Sequence, residues 1–178
     1  EFVGLRIETD HDITGCGYTV TVGAGGKTLQ TVLDTLFIQD LLGEDPRNVR
    51  QIWNKLYYGK AHWIGRAGAA TMAQAAVDIA LWDIFGKATN LPITQLLGGF
   101  SRREIRTYNT CAGTEYIKKA TGQTTANYDL NAKSAKDYDD LNGFLYRADE
   151  LAESLLEDGI TAMKIWPFDI NFGRISTS

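Results

Sequence analysis

Ala75-Ala76-Val77-Asp78-Ile79-Ala80-Leu81-Trp82-Asp83-Ile84 is the stretch on which the fold turns. Its alanines and apolar residues cover much of a helical circumference, so a helix built from it is sandwiched between neighbours. Extended both ways, the pattern predicts a helix over 69–88. Asp78 and Asp83 interrupt it and read as helix-packing or ion-pair partners, not as catalytic acids.

Upstream, residues 1–8 carry apolar side chains at Phe2, Val3, Leu5 and Ile7, and residues 13–22 do so at Ile13, Tyr18, Val20 and Val22. With a turn at Asp10-His11-Asp12 between them, they predict a β-hairpin. Gly23-Ala24-Gly25-Gly26 lacks the Lys-Ser/Thr ending and glycine spacing of a phosphate loop, so it is a turn. Residues 27–42 repeat Leu29, Val32, Leu33, Leu36, Phe37 and Leu41 at helical spacing, and Gly43 stops them. Asp45-Pro46 reads as the N-cap and first position of another helix, with a stripe of Val49, Ile52, Trp53 and Leu56. Residues 57–68 read as an irregular loop, and residues 92–97 as a helical turn closed by Gly98-Gly99.

A second region follows. Residues 105–111 read as a strand, 141–158 as an amphipathic helix on Leu145, Ala148, Leu151, Ala152 and Leu155, and 160–165 as a second strand. Strand, helix, strand in that order is a parallel right-handed crossover. Residues 114–140 make a connection much longer than such units need, either a lid over an active face or a surface insertion.

Composition limits the possible roles. Hydrophobic residues are 44% and charged residues 22% of the 178, which excludes a disordered chain. A net charge of −4 gives no basic footprint for nucleic acid. No apolar run approaches the length of a membrane span, and the first residues do not show the charged, apolar, small-residue order of a signal peptide. Cys16 and Cys111 lie too far apart to suggest a staple or a metal knuckle, so both are expected as reduced thiols in a cytoplasmic protein.

Taken in order, Gly15-Cys16-Gly17-Tyr18, the alanine-rich decapeptide, Gly86-Lys87, Leu91-Pro92 and Leu96-Leu97-Gly98-Gly99 are specific. The series resembles the capping-domain-to-barrel passage of the enolase superfamily, mandelate racemase and muconate lactonizing enzyme branch. Met163-Lys164-Ile165-Trp166-Pro167-Phe168-Asp169 resembles the end of that family's second barrel strand. The resemblance implies an α+β capping domain over residues 1–100, its first strands missing. It implies that 101–178 are the first two strands and first helix of a (β/α)8 barrel, the chain being truncated and inactive alone.

The same resemblance implies the chemistry: removal of a proton next to a carboxylate, with the enediolate stabilised by Mg2+. Lys164 falls at the C-terminal end of the second strand, where barrel enzymes place working residues, and is expected to face the barrel interior. Family members of the racemase type carry two lysines here separated by one residue; this chain has Lys164 and then Trp166. An indole cannot take a proton, so the departure points from two-base racemisation toward one-base dehydration of an acid sugar. Racemase, epimerase or cycloisomerase chemistry, or a catalytically inactive binding or structural module, are the alternatives. Asn109 is a candidate for contact with substrate or with a neighbouring strand. His62 and Trp63, with Arg66 nearby, lie in the segment that the resemblance folds over the barrel mouth to set specificity. The three acidic metal ligands and a His-Asp pair belong to later strands, and Asp158 and Asp169 do not match them. The implied partners are a small carboxylate, a sugar acid foremost, and further copies of the chain in a homo-oligomer.

Overall fold

The structure, a computed structural model, describes residues 1–21, 24–112 and 139–165. The chain forms two compact units, the first Glu1–Ser101 and the second beginning at Arg102.

In the first unit, β1 (Phe2–Glu8) and β2 (Thr14–Val20) pair antiparallel, with Gly4 opposite Tyr18 and Arg6 opposite Cys16. Alternation turns Val3, Leu5 and Ile7 toward the core. β2 lies on the long helix α5 (Ala69–Thr89), and two glycines make this possible. A Cβ on Gly15 or Gly17 would overlap the carbonyl oxygens of Ala80 and Ala76. Small residues on both surfaces therefore let backbone meet backbone.

The other side of α5 meets a helical layer. α1 (Gly26–Val32), a π-helical turn at Leu33–Phe37 and α2 (Ile38–Leu41) run as one continuous helix. α3 (Val49–Tyr58) presents Val49, Ile52 and Leu56 to the same core, which includes Phe37, Ala73, Val77 and Leu81. Each such large apolar side chain, fully buried, contributes roughly 1.5–3 kcal/mol. Lys55 Nζ fastens α3 to the preceding turn, donating to Asp40 O (2.9 Å) and Glu44 Oε1 (2.6 Å).

Several boundaries differ from the sequence expectation. Asp45 does not cap the helix: its carboxylate pairs with the Arg47 guanidinium at 2.7 Å, and α3 starts only after Asn48. Residues 57–68 are not wholly irregular, since α3 runs to Tyr58 and α4 (Lys60–Ile64) follows. After α5, α6 (Ile93–Leu96) opens at Pro92 as expected.

In the second unit the predicted single helix is two, α7 (Asp140–Tyr146) and α8 (Ala148–Glu157). The chain leaves helical geometry at Arg147 (φ −149°, ψ 51°), and the bend sets Leu151 against Gly143, where a Cβ would be 3.4 Å away. The two predicted strands appear as one parallel bridge, Asn109 to Met163. Ile105 is 72% and Tyr108 57% exposed, so among the described residues neither face of that segment is covered enough to extend the pairing. The expected lid or insertion, residues 114–140, lies outside the described residues except at Asp139 and Asp140.

Candidate active site

Asn109 is the centre of the second unit. Its N–H donates to Ala162 O at 3.0 Å, and its carbonyl accepts from Lys164 N at 2.7 Å. These two bonds clasp Met163 in the slanted pattern of parallel strands and place Lys164 one residue beyond the bridge. The Asn109 side chain is equally committed. Oδ1 accepts from Cys111 N at 2.6 Å, and Nδ2 donates to Asp140 Oδ2 at 3.0 Å, in the first turn of α7. Asp139 caps that helix, accepting from Leu141 N (3.0 Å) and Asn142 N (3.3 Å).

Cys111 occupies a left-handed conformation at φ 53°, unusual for a residue with a side chain. It is buried, 1% exposed. That burial, with the Asp140 carboxylate adding to it, pushes the thiol above its ordinary range, and a hydrogen bond from the Lys164 backbone opposes the shift. Both cysteines are free thiols.

Lys164 is exposed, so the enclosure expected for its ammonium is not formed by the described residues. Asn109 has its amide turned to protein groups at both ends, Cys111 N and Asp140 of α7, and it meets the neighbouring segment through its backbone. Trp166 lies outside the described residues, as does Asp169. Asp158, at the C-terminal end of α8, is exposed and remains unassigned to metal.

The other candidates belong to the first unit. His62 and Trp63 sit on α4 with their rings edge to face at 5.1 Å, and Trp63 is 85% exposed. The His62 Nδ1 contacts Arg66, whose guanidinium lies 5.1 Å from the Tyr57 ring centre and 5.0 Å from that of Tyr58. Trp53 stacks on Tyr57 at 4.6 Å. The result is an exposed aromatic surface with a cation held in it, a surface able to meet a hydroxylated, anionic ligand. Sequence reading placed Arg66 in this segment but did not single out Tyr57 and Tyr58. Their role becomes visible only when α3 continues through them. Asp140 was likewise missed, and no local signal joins it to Asn109.

On α5, Asp83 accepts from Cys16 N (2.8 Å) and Lys87 Nζ (2.6 Å), tying helix to hairpin, and Lys87 foremost holds its carboxyl below the usual range. Asp78 is half-buried, and burial raises its carboxyl. Among the described residues no group of three or more His, Cys, Asp or Glu side chains converges on a metal position. The described residues thus do not themselves form a magnesium site. No described helix is long and apolar enough to cross a membrane.

A 3,6-anhydro-alpha-L-galactonate cycloisomerase from Streptomyces coelicolor is 41% identical over 100 residues, 56% of this chain and 27% of that protein. A D-mannonate dehydratase from Rhizorhabdus wittichii is 39% identical over 136 residues, 76% of this chain and 33% of that protein. The crystal structure of L-talarate dehydratase from Polaromonas sp. JS666, complexed with Mg and L-glucarate, superposes with a TM-score of 0.56. It is 35% identical, over 63% of this chain and 30% of that one. The chain thus spans a third or less of the length of these curated relatives. Residues 1–98 match the mandelate racemase / muconate lactonizing enzyme N-terminal domain, and the chain belongs to that family.

Proposed function

We propose that the protein dehydrates a sugar acid, with Lys164 binding the substrate carboxylate. A base takes the proton from the α-carbon, the electron pair moves into an enediolate and then expels the β-hydroxyl, which takes up a proton from an acid and leaves as water. The resulting enol becomes a 2-keto-3-deoxy acid. Such a carbon acid is very weak, and what makes its ionisation feasible is fixed positive charge beside the carboxylate oxygens. The observation that carries the reading is the position of Lys164, held by its backbone to Asn109 O immediately after the parallel bridge. The D-mannonate dehydratase relative supports both the substrate class and the reaction. His62 and Trp63 are proposed as substrate contacts because they form an exposed, mutually packed surface on α4. Mg2+ belongs to this reading through likeness to solved structures that hold it, L-talarate dehydratase among them.

The test is a screen of the full-length protein against sugar acids with Mg2+, reading formation of 2-keto-3-deoxy products. Lys164→Met should keep the fold and lower kcat by roughly 10²–10³-fold. Folded, metal-replete protein that turns over no sugar acid would overturn dehydration. The cycloisomerase relative supports a second reading, in which the product is an isomer and no water is lost. The mass of the product separates the two.

A further inference from the structure

We propose that Asn109 is a positioning residue for Lys164, with Asp140 as its anchor. The inference rests on the reading of Lys164 as the carboxylate-binding group. All four hydrogen-bonding positions of Asn109 are tied. Its backbone bonds Ala162 and Lys164, and its side chain bonds Cys111 and Asp140. One planar amide must accept from a backbone N–H at one corner and donate to a carboxylate at the other. Among side chains of this length only asparagine offers both. The two partners also fix which way the amide points, because an N–H cannot donate to another donor.

The lever from amide to ammonium is short. The Asn109 carbonyl holds the N–H of Lys164 at 2.7 Å, so the lysine Cα follows any movement of residue 109. Two residues on, the chain turns into the left-handed conformation of Cys111, which costs of order 1 kcal/mol or more and must be held from outside. The bond from Cys111 N to Asn109 Oδ1 holds it. The bond to Asp140 then sets residue 109 against α7. Without the amide the turn is released and the bridge is free to shift, carrying Lys164 with it. A displacement near 1 Å of a group that must meet a substrate carboxylate lowers turnover by about 10²-fold.

The experiment uses the full-length protein and four variants: Asn109→Ala, Asn109→Asp, the exchange Asn109→Asp/Asp140→Asn, and Lys164→Met. Turnover is measured per folded molecule, well below each melting temperature. Asn109→Ala and Asn109→Asp should lower kcat by about 10²-fold. The exchange should recover most of that loss, since an aspartate at 109 still accepts from Cys111 N and now accepts from an asparagine at 140. A residue of merely structural importance would lower the melting temperature and leave kcat per folded molecule unchanged, and that result overturns the proposal. Should Asn109→Ala fail to fold, the exchange decides alone: native-like kcat supports the proposal, and a kcat still down tenfold or more overturns it. Lys164→Met with full activity removes the underlying reading instead. Lys164→Met inactive beside a fully active Asn109→Ala removes only the positioning role.

Discussion

Gly17 of β2 rests on the backbone of α5 at Ala76, so closely that an added Cβ would overlap the Ala76 carbonyl and stand 2.8 Å from Ala80 N. A methyl group there cannot be relieved by a rotamer change, because the obstacles are main chain. Gly17→Ala should therefore cost about 1–3 kcal/mol. Gly4 on β1 faces open space, with nothing within 4 Å of an added Cβ. Gly4→Ala should raise stability by roughly 0.5–1 kcal/mol through the lost flexibility of the unfolded chain. Urea unfolding of the two variants measures the contrast; equal midpoints would contradict the packing argument.

Asp78 and Asp83, on one helix, should respond to pH in opposite directions. The Asp83 carboxyl is depressed, by Lys87 first, so its stabilisation is present above the unfolded value and lost as pH falls through the folded one. Asp83→Ala should cost about 1 kcal/mol at pH 7, the pair being partly exposed, and much less near pH 3. The Asp78 carboxyl is raised by burial, so the folded state loses ground as pH climbs from the unfolded value through the folded one. Asp78→Asn should thus match the native chain near pH 3 and exceed it at pH 7 by at most about 1 kcal/mol. Denaturant midpoints at the two pH values check both signs.

The two thiols should label at separate rates. Cys16 is exposed, whereas Cys111 is 1% exposed and its thiol is pushed up by burial. A maleimide reagent at neutral pH should modify one thiol per chain promptly and the second only on addition of denaturant. Peptide mapping that finds Cys111 labelled first would refute this.

Trp63→Ala should leave stability within about 0.5 kcal/mol, because the indole is 85% exposed. Under the proposed function it should raise KM for the sugar acid. Arg66→Met should cost about 1–2 kcal/mol, from loss of the guanidinium between the rings of Tyr57 and Tyr58. Thermal melts and steady-state kinetics separate the two effects.

The helix around Val77 and the first strand were legible because each rests on a repeat in the sequence itself, apolar residues around α5 and alternation along β1; on β2 the apolar Tyr18 and Val20 face outward, and Gly15, Gly17 and Thr19 face inward. What escaped was decided by side-chain contacts that a periodic pattern does not encode. Asp45-Pro46 has the form of a helix start, yet the Asp45 carboxylate is occupied by Arg47, and the first helical turn forms later. Phe37 was expected on the apolar face of its helix and is fully buried, but the π-helical turn at Leu33–Phe37 has no mark in that spacing. The break at Arg147 leaves the amphipathic pattern intact, and the bend there sets Leu151 against Gly143. The candidate site divides likewise. Lys164 is singled out by the resemblance that residues 163–169 carry, whereas the hydrogen bond from Asn109 to Asp140 spans 31 positions and has no local mark.

The backbone-to-backbone seat of β2 on α5 also sets an order of events at the ribosome. The hairpin is complete at Val20, yet the surface it needs begins at Ala69 and is not finished until Thr89. At roughly 5–20 residues per second, the nascent hairpin waits several seconds without the helix on which Gly15 and Gly17 rest. Translation pauses in that interval lengthen the window in which chaperones, or neighbouring nascent chains, meet this strand pair first.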